Sequence, residues 1–275
     1  DQGGAAHIPL PLQVQPPDPA SIQVLRGHQL PVTCLVISPD DRFIFSASKD
    51  GSLIKWEVES GKRLCMVPGG KKGTEERHMG HASHVLCMAI SSDGKYLATG
   101  DRNKLIMIWD AATCKRLHIF TGHHDAVSGL SFRKGTHELY SASHDRCVKV
   151  WNVAENAYVE TLKGLGVQGW DVLLPSWGWG AWQSPLSAPG SHSASVKLWK
   201  CGEGFRKLEP LWDIPLVGFV NSLKFSAAGD FLVAGLGQEH RLGRWWRVKE
   251  AKNSICIIPL KRRAAAPSPE APDNS

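Results

Sequence analysis

The sequence predicts an all-β protein that folds as a β-propeller with about five detectable blades. The first observation is a spacing: a Gly-His pair is followed, 28 residues after the histidine, by a tryptophan, and this occurs three times. The second is that apolar, β-branched runs separated by turn residues fill each interval. One such repeat cannot bury its apolar faces alone, so it must stack on further copies. The pairs are Gly27-His28 with Trp56, Gly80-His81 with Trp109, and Gly122-His123 with Trp151.

The first repeat shows how the strands are predicted. Apolar runs at Val32 to Ile37, Phe43 to Ala47 and Leu53 to Trp56 are bounded by turn residues such as Ser-Pro-Asp-Asp at 38–41. Stacked blades bury both faces of each sheet, so their strands appear as apolar runs rather than as strict alternation. The second repeat has the same arrangement, with Ser-Ser-Asp-Gly at 91–94 as the turn.

Polar residues at fixed offsets predict a buried hydrogen-bond network in each of these three blades. A hydroxyl lies ten residues before each tryptophan, and an acid or amide lies six residues before it. We expect the acid to orient the histidine, the histidine to reach the hydroxyl, and the hydroxyl to meet the indole N–H. Asn103 replaces the acid in the second copy, which predicts a weaker network there. The residues are His28, Ser46, Asp50 and Trp56; His81, Thr99, Asn103 and Trp109; and His123, Ser141, Asp145 and Trp151.

A Gly-His start and a Trp followed by an acid or Asn resemble the WD repeat, which forms one propeller blade per copy. The alternative interpretation of a Ser/His/Asp set is a hydrolase triad. A triad occurs once per active site, whereas this set recurs, so the structural interpretation is favoured.

The stretch between the third repeat and Ser195 does not follow the pattern. From 164 to 190 the sequence is rich in Trp, Gly, Ser and Pro, and Asp171 is its only charged residue. Blade-like sequence resumes at Ser195-Val196-Lys197-Leu198-Trp199 and closes a half unit. We interpret 165–189 as translated intron or out-of-frame sequence. The alternative is a Trp-rich loop that binds an apolar partner.

A divergent last unit is predicted from Phe219 to about Pro259, with strands at Val220 to Phe225, Phe231 to Ala234 and Leu242 to Arg247. Trp246 lies 47 residues after Trp199, so Trp245 or Trp246 is expected to be the blade tryptophan. Residues 21–260 would form the propeller, 1–20 a Pro-rich linker and 261–275 a disordered tail. With five units, the ring would be either small and strained or open with exposed edges.

The net charge of +6 is concentrated near the C-terminus. Between 241 and 263, eight cationic residues face Glu250 alone, and Trp245 and Trp246 lie among them. Cations interleaved with aromatic residues suit phosphate contact and base stacking. A solvated basic edge with one tryptophan in the core is the alternative. A polar insertion at 68–77 carries Lys71 and Lys72 and is either a functional loop or a flexible surface loop.

Other features narrow the class of protein. The seven cysteines show no metal-ligand spacing and indicate reduced thiols in a cytosolic or nuclear protein, so no metal and no cofactor are expected. No apolar run is long enough to cross a membrane, and we expect no membrane partner. The chain begins with Asp1, from which we expect a longer N-terminal region to be missing. No nucleotide-binding glycine loop or single catalytic set appears, so an enzyme is not expected.

Several stretches are more specific than the repeat pattern: 83–98, 121–156, 201–206, 213–219 and, most specifically, Gly-Gln-Glu-His-Arg-Leu-Gly-Arg-Trp-Trp-Arg at 237–247. Together they resemble the WD-repeat protein of the U3 small nucleolar ribonucleoprotein. The resemblance implies a non-catalytic subunit that binds U3 small nucleolar RNA beside the box C/D core proteins. It would associate with the pre-ribosomal RNA particle and take part in the processing of pre-ribosomal RNA. Its location would be the nucleus, in the nucleolus. That family has seven blades and a basic N-terminal extension, and this chain differs in both respects.

The residues expected to contact RNA are Arg241, Arg244, Arg247 and Lys249, followed by Lys71 and Lys72. A different class of function stays open: a general WD-repeat adaptor, such as a substrate receptor for ubiquitin ligation or a signalling scaffold. Selective peptide binding without RNA would favour the adaptor. A poorly folding isoform is a further possibility.

Overall fold

The computed structural model describes residues 17–71, 78–162, 186–187, 195–201, 208–243 and 247–260. These residues form nineteen strands in five antiparallel sheets and one 3-10 turn, Pro19–Ser21. The predicted all-β propeller architecture is therefore confirmed. Residues 1–16 of the expected linker, most of the atypical 164–190 segment and the 261–275 tail lie outside the described residues.

The first three complete sheets are four-stranded and correspond to the three regular repeats. Each runs in chain order from an inner to an outer strand, and each shifts register once near the start of its first strand and once beside its tryptophan. Blade 1 contains β2 (Val32–Ile37), β3 (Phe43–Ser48), β4 (Leu53–Glu57) and β5 (Arg63–Val67); blade 2 contains β6 (Val85–Ile90), β7 (Tyr96–Asp101), β8 (Ile106–Asp110) and β9 (Arg116–Phe120); blade 3 contains β10 (Val127–Phe132), β11 (Glu138–Ser143), β12 (Val148–Asn152) and β13 (Ala157–Leu162).

The described residues of blade 4 form three strands in the order β14-β15-β16. They are β14 (Leu186–Ser187), β15 (Ser195–Cys201) and β16 (Leu208–Pro215). The half unit predicted at Ser195 is thus a hairpin of β15 and β16. The two-residue β14, which lies within the atypical segment, pairs with its edge.

Blade 5 joins the two ends of the chain. Its strands are β17 (Phe219–Phe225), β18 (Phe231–Gly237) and β19 (Ser254–Pro259), and β1 (Gln23–Leu25) pairs with β19 as the outer strand. Val24 pairs with Cys256 in this closure. The N-terminal strand therefore completes the sheet made by the C-terminal residues.

The third strand of blade 5 is β19, which is apolar and nearly fully buried, rather than the predicted Leu242 to Arg247. Of the predicted segment, Leu242, Gly243 and Arg247 belong to no strand, and 244–246 lie outside the described residues. Ile258 pairs with Leu232 in the same register in which Trp56 pairs with Ile44, so an isoleucine occupies the position of the blade tryptophan. Trp245 and Trp246 precede that strand and lie outside the described residues.

The blades are held together by apolar clusters at their junctions. Strands β17, β2, β6 and β10 lie side by side around the axis. Four clusters of buried side chains join blades 4 and 5, 5 and 1, 1 and 2, and 2 and 3. Within the described residues, no such cluster joins blade 3 to blade 4. In the described part of the chain, Trp109 and Phe45 are the largest fully enclosed side chains, and both belong to the cluster between blades 1 and 2.

The antiparallel strands place the connecting loops at two ends. One end is formed by the loops that lead into the first strand of each blade and by the turns between its second and third strands. We call this end the upper face. The lower face is the opposite end. The described upper-face loops are 26–31, 49–52, 68–71, 78–84, 102–105, 121–126, 144–147, 216–218, 238–243 and 247–253. The described lower-face loops are 38–42, 58–62, 91–95, 111–115, 133–137, 153–156 and 226–230.

Candidate nucleic-acid interface

The predicted hydrogen-bond network is present in blade 3 as expected. His123 Nδ1 lies 2.8 Å from Asp145 Oδ2, and its Nε2 lies 2.7 Å from Ser141 Oγ. The Trp151 indole N–H donates to the same hydroxyl at 2.8 Å. One assignment satisfies every group: Nδ1–H donates to the carboxylate, and the hydroxyl donates to Nε2 while it accepts from the indole. The network ties β11 and β12 to two upper-face loops.

Blade 1 differs from the prediction by one added link. His28 Nδ1 lies 2.7 Å from Ser52 Oγ rather than against Asp50. Ser52 and the backbone N–H of Gln29 hydrogen-bond to the carboxylate, and these bonds hold the pKa of Asp50 below its usual range although burial acts to raise it. His28 Nε2 and the Trp56 indole both meet Ser46 Oγ, at 2.8 and 2.9 Å, as predicted.

The network in blade 2 differs from the prediction, because the histidine is paired with an acid, Asp101, rather than with Asn103. Asp101, two residues before Asn103, places its Oδ2 2.9 Å from His81 Nδ1, and Oδ1 accepts the backbone N–H groups of Asn103 and Leu105. Thr99 Oγ1 then meets His81 Nε2 at 2.6 Å and the Trp109 indole at 2.8 Å. Serines occupy the position equivalent to Asp101 in blades 1 and 3. The acid of blade 2 therefore lies two residues earlier in the sequence than the acids of the other two blades, and a shift of two residues keeps a side chain on the same face of a strand.

Two of these buried histidines, His28 and His123, make stability depend on pH. Burial lowers the pKa of His28 from its ordinary 6.5 to about 4, and burial also lowers that of His123. Between those values the unfolded chain binds more protons than the native one, so stability falls as the pH drops. We expect His28 alone to cost roughly 3 kcal/mol at about pH 4. Urea unfolding at several pH values between about 7 and 4 measures this loss, and an equally steep decline in His28→Gln would contradict it.

The described parts of the long loop of blade 5, 238–243 and 247–253, which we call the basic loop, are held in place by contacts with their surroundings. The buried Lys49 ammonium lies 3.3 Å from Glu239 Oε2 and thereby joins blade 1 to this loop. Asn221 accepts the backbone N–H of Arg241 at 2.9 Å and donates to the Val32 and Glu239 carbonyls. These bonds hold the loop on the upper face.

The predicted RNA-binding residues come together in part. Arg241 is half-buried, whereas Arg247 and Lys249 are exposed, and all three belong to the basic loop. Arg247 also donates to Gln238 Oε1 at 2.8 Å. Lys71 is exposed in the loop that precedes β6, on the same upper face. Arg244 and Lys72 lie outside the described residues.

The insertion that carries Lys71 is anchored at its base. The Gly70 N–H donates to the His81 carbonyl at 2.8 Å. Gly51 has a φ of 77°, and a Cβ there would collide with the same carbonyl, so only glycine permits this close approach. The backbone that carries Lys71 is therefore anchored beside the turn between β3 and β4.

The two faces differ in charge. The described upper-face loops carry ten cationic and five acidic side chains, and Asp101 at the end of β7 adds one more acid. Asp50, Asp145 and Glu239 are engaged in internal hydrogen bonds, which leaves Asp125 and Glu250 as the exposed loop acids. The described lower-face loops carry six of each sign. The ten upper-face cations are Arg26, Lys49, Lys71, Arg102, Lys104, Arg146, Arg241, Arg247, Lys249 and Lys252.

Sequence reasoning missed Arg102, Lys104 and Arg146. They are isolated cations in turns, and no local charge run marks them. The signal that could have identified them is their position beside the acid or amide that the repeat spacing assigns to each network. Among the described residues, no group of three or more His, Cys, Asp or Glu side chains could hold a metal ion. In that same part of the chain, no helix has the length and apolarity needed to cross a membrane.

Residues 19–57, 73–110 and 114–152 match the family described as WD domain, G-beta repeat. Together with the five stacked sheets, this match defines a WD-repeat β-propeller protein. A crystal structure of RRP9 WD40 repeats superposes with a TM-score of 0.82 at 49% identity and covers 90% of this chain and 100% of that one. A structure of U3-55K gives a TM-score of 0.78 at 48% identity and covers 89% of this chain and all of that one.

Curated relatives specify the family. The chain is 49% identical over 354 residues to U3 small nucleolar RNA-interacting protein 2 of Mus musculus, across 97% of this chain and 74% of the relative. The Homo sapiens protein of that name is 48% identical across 98% of this chain and 75% of the relative. The chain belongs to the family of these proteins. Both alignments are longer than the chain's 275 residues, so the relatives contain residues with no counterpart here.

Proposed function

We propose that this chain is a non-catalytic RNA-binding subunit of the U3 small nucleolar ribonucleoprotein and acts in pre-ribosomal RNA processing in the nucleolus. Its RNA partner would be U3 small nucleolar RNA, beside the box C/D core proteins and the pre-ribosomal RNA particle. The names of the relatives support this assignment, since they describe proteins that interact with U3 RNA.

The charge of the upper face is the observation that carries the proposal. RNA presents a continuous line of phosphates, and cations that neutralise them release bound counterions. The basic loop and Lys71 supply such cations from two fixed sites on one face. The lower face has no excess of either sign in its described loops, so a polyanion would be drawn to the upper face.

The test is crosslinking and immunopurification of the full chain from nuclear extract, followed by sequencing of the bound RNA. We expect U3 RNA to be enriched over other box C/D RNAs. The Homo sapiens relative, treated in parallel, is the control. If that relative recovers U3 RNA and this chain does not, the proposal is wrong. Selective recovery of peptides without RNA would instead support an adaptor.

A further inference from the structure

The turn between the second and third strands contains an unusual residue in blades 2 and 3. In blade 1, five residues before the tryptophan, this turn has Gly51 with a φ of 77°. The equivalent residues are Lys104, with a φ of 73°, and Arg146, with a φ of 64°. Glycine adopts this left-handed conformation freely, whereas a long side chain pays a steric cost there. Two neighbouring blades thus hold a cation where the backbone favours glycine.

Two of the other three left-handed residues have an evident intramolecular role, and the third is of a type that adopts this conformation readily. Asp41 accepts the backbone N–H groups of Ala227 and Ala228 at 2.7 and 2.8 Å and so joins blades 1 and 5. Cys114 is buried in the cluster between blades 1 and 2. Asn156 is a residue type that tolerates this conformation.

Lys104 and Arg146 have no such role within the described chain. Both side chains are exposed, and neither makes a side-chain hydrogen bond or an ion pair with another described residue. Backbone strain that gives no internal contact in return points to an external ligand. The nearby acids Asp101 and Asp145 are bound to His81 and His123. The two cations are therefore available on the upper face.

We propose that Lys104 and Arg146 are phosphate-contacting residues that extend the RNA interface across blades 2 and 3. This inference rests on the proposed function. The cations of the upper face are distributed over successive blades rather than gathered around one point: the basic loop is on blade 5, Lys71 follows blade 1, and the two turn cations are on blades 2 and 3. Such a distribution fits an extended polyanion better than a single phosphate group, and RNA is the polyanion already implied.

The test is the double variant Lys104→Gly with Arg146→Gly in the full chain, with U3 RNA as the probe. Glycine removes both charges and suits the left-handed turns, so thermal stability should be equal to or higher than that of the parent. We expect affinity for U3 RNA to fall about tenfold and the slope of log affinity against log salt to decrease by about 1.4 to 1.8.

Two controls separate charge from backbone effects. Lys115→Ala with Lys134→Ala removes two exposed cations from the lower face and should leave affinity unchanged. Asn156→Gly relaxes a left-handed lower-face residue without changing charge and should also bind RNA normally. If the double glycine variant binds U3 RNA with the same affinity and the same salt slope as the parent, the inference is wrong.

The outcome also distinguishes this inference from the proposed function. If removal of the basic-loop cations weakens RNA binding while the turn variant binds normally, only the inference about Lys104 and Arg146 fails. If the parent chain does not bind U3 RNA, the proposed function itself fails. Loss of binding to an acidic peptide, with RNA binding unchanged, would assign the turn cations to a protein partner and refute the RNA contact.

Discussion

Replacing Asp101 with alanine is expected to lower the free energy of unfolding by about 3 kcal/mol or more. The carboxylate is fully buried, and its removal leaves His81 Nδ1 and the backbone N–H groups of Asn103 and Leu105 without their acceptor. Water cannot replace those bonds without entering the packed junction of blades 1 and 2. The equivalent change at Asn103, whose side chain is partly exposed, should cost less than about 0.5 kcal/mol.

Urea unfolding of the parent, Asp101→Ala and Asn103→Ala measures this difference directly. The contrast between the two variants is the informative quantity, because both remove a polar side chain from the same turn region. Similar losses in both would mean that Asp101 does not support His81 in solution. A larger loss of stability in Asn103→Ala would mean that Asn103, the residue indicated by the repeat spacing, is the one that supports the network.

Replacing Arg241, Arg247 and Lys249 together with alanine is expected to weaken U3 RNA binding by at least about tenfold at near-physiological salt. Each lost phosphate contact should also lower the salt slope by about 0.7 to 0.9. Arg247 and Lys249 are exposed, and the hydrogen bonds that hold the loop use mainly Glu239, Asn221 and backbone groups. The loop should therefore keep its position in the variant.

The matched control for this variant is Lys62, Lys115 and Lys134 changed together to alanine. It removes the same charge from exposed positions on the lower face. Titration of labelled U3 RNA at two or more salt concentrations distinguishes the two sets. Equal weakening in both would show that net charge, rather than the basic loop, governs binding. Undiminished binding by the basic-loop variant would exclude these three residues as contacts.

The sequence was most informative where side-chain chemistry recurs at a fixed interval. The histidine, hydroxyl and tryptophan of the first three blades are in the predicted contacts because each must meet a specific partner. The acid could not be placed by spacing alone. The histidine nitrogen can be reached through Ser52 in blade 1 and from a residue two positions earlier in blade 2.

Blade 5 was harder to predict because packing rather than hydrogen bonding defines it. Ile258 fills the tryptophan position with an aliphatic side chain, which leaves no recognisable residue type in the sequence. The Trp pair at 245–246 has the expected spacing but precedes the buried strand. The candidate interface was likewise predicted only in part. The run of basic residues near the C-terminus is recognisable in the sequence, whereas Lys104 and Arg146 are brought to the same face only by the stacking of the blades.

The pairing of β1 with β19 also has a consequence for biosynthesis. Val24 finds its neighbour Cys256 only after more than two hundred intervening residues have been made. Contacts so distant in sequence slow folding, because the long intervening chain must first be ordered. During translation, the emerging N-terminal strand must remain unpaired until the last blade leaves the ribosome. Until then β1 is exposed to other chains, so production of this protein should depend on chaperones that shield unpaired β-strands.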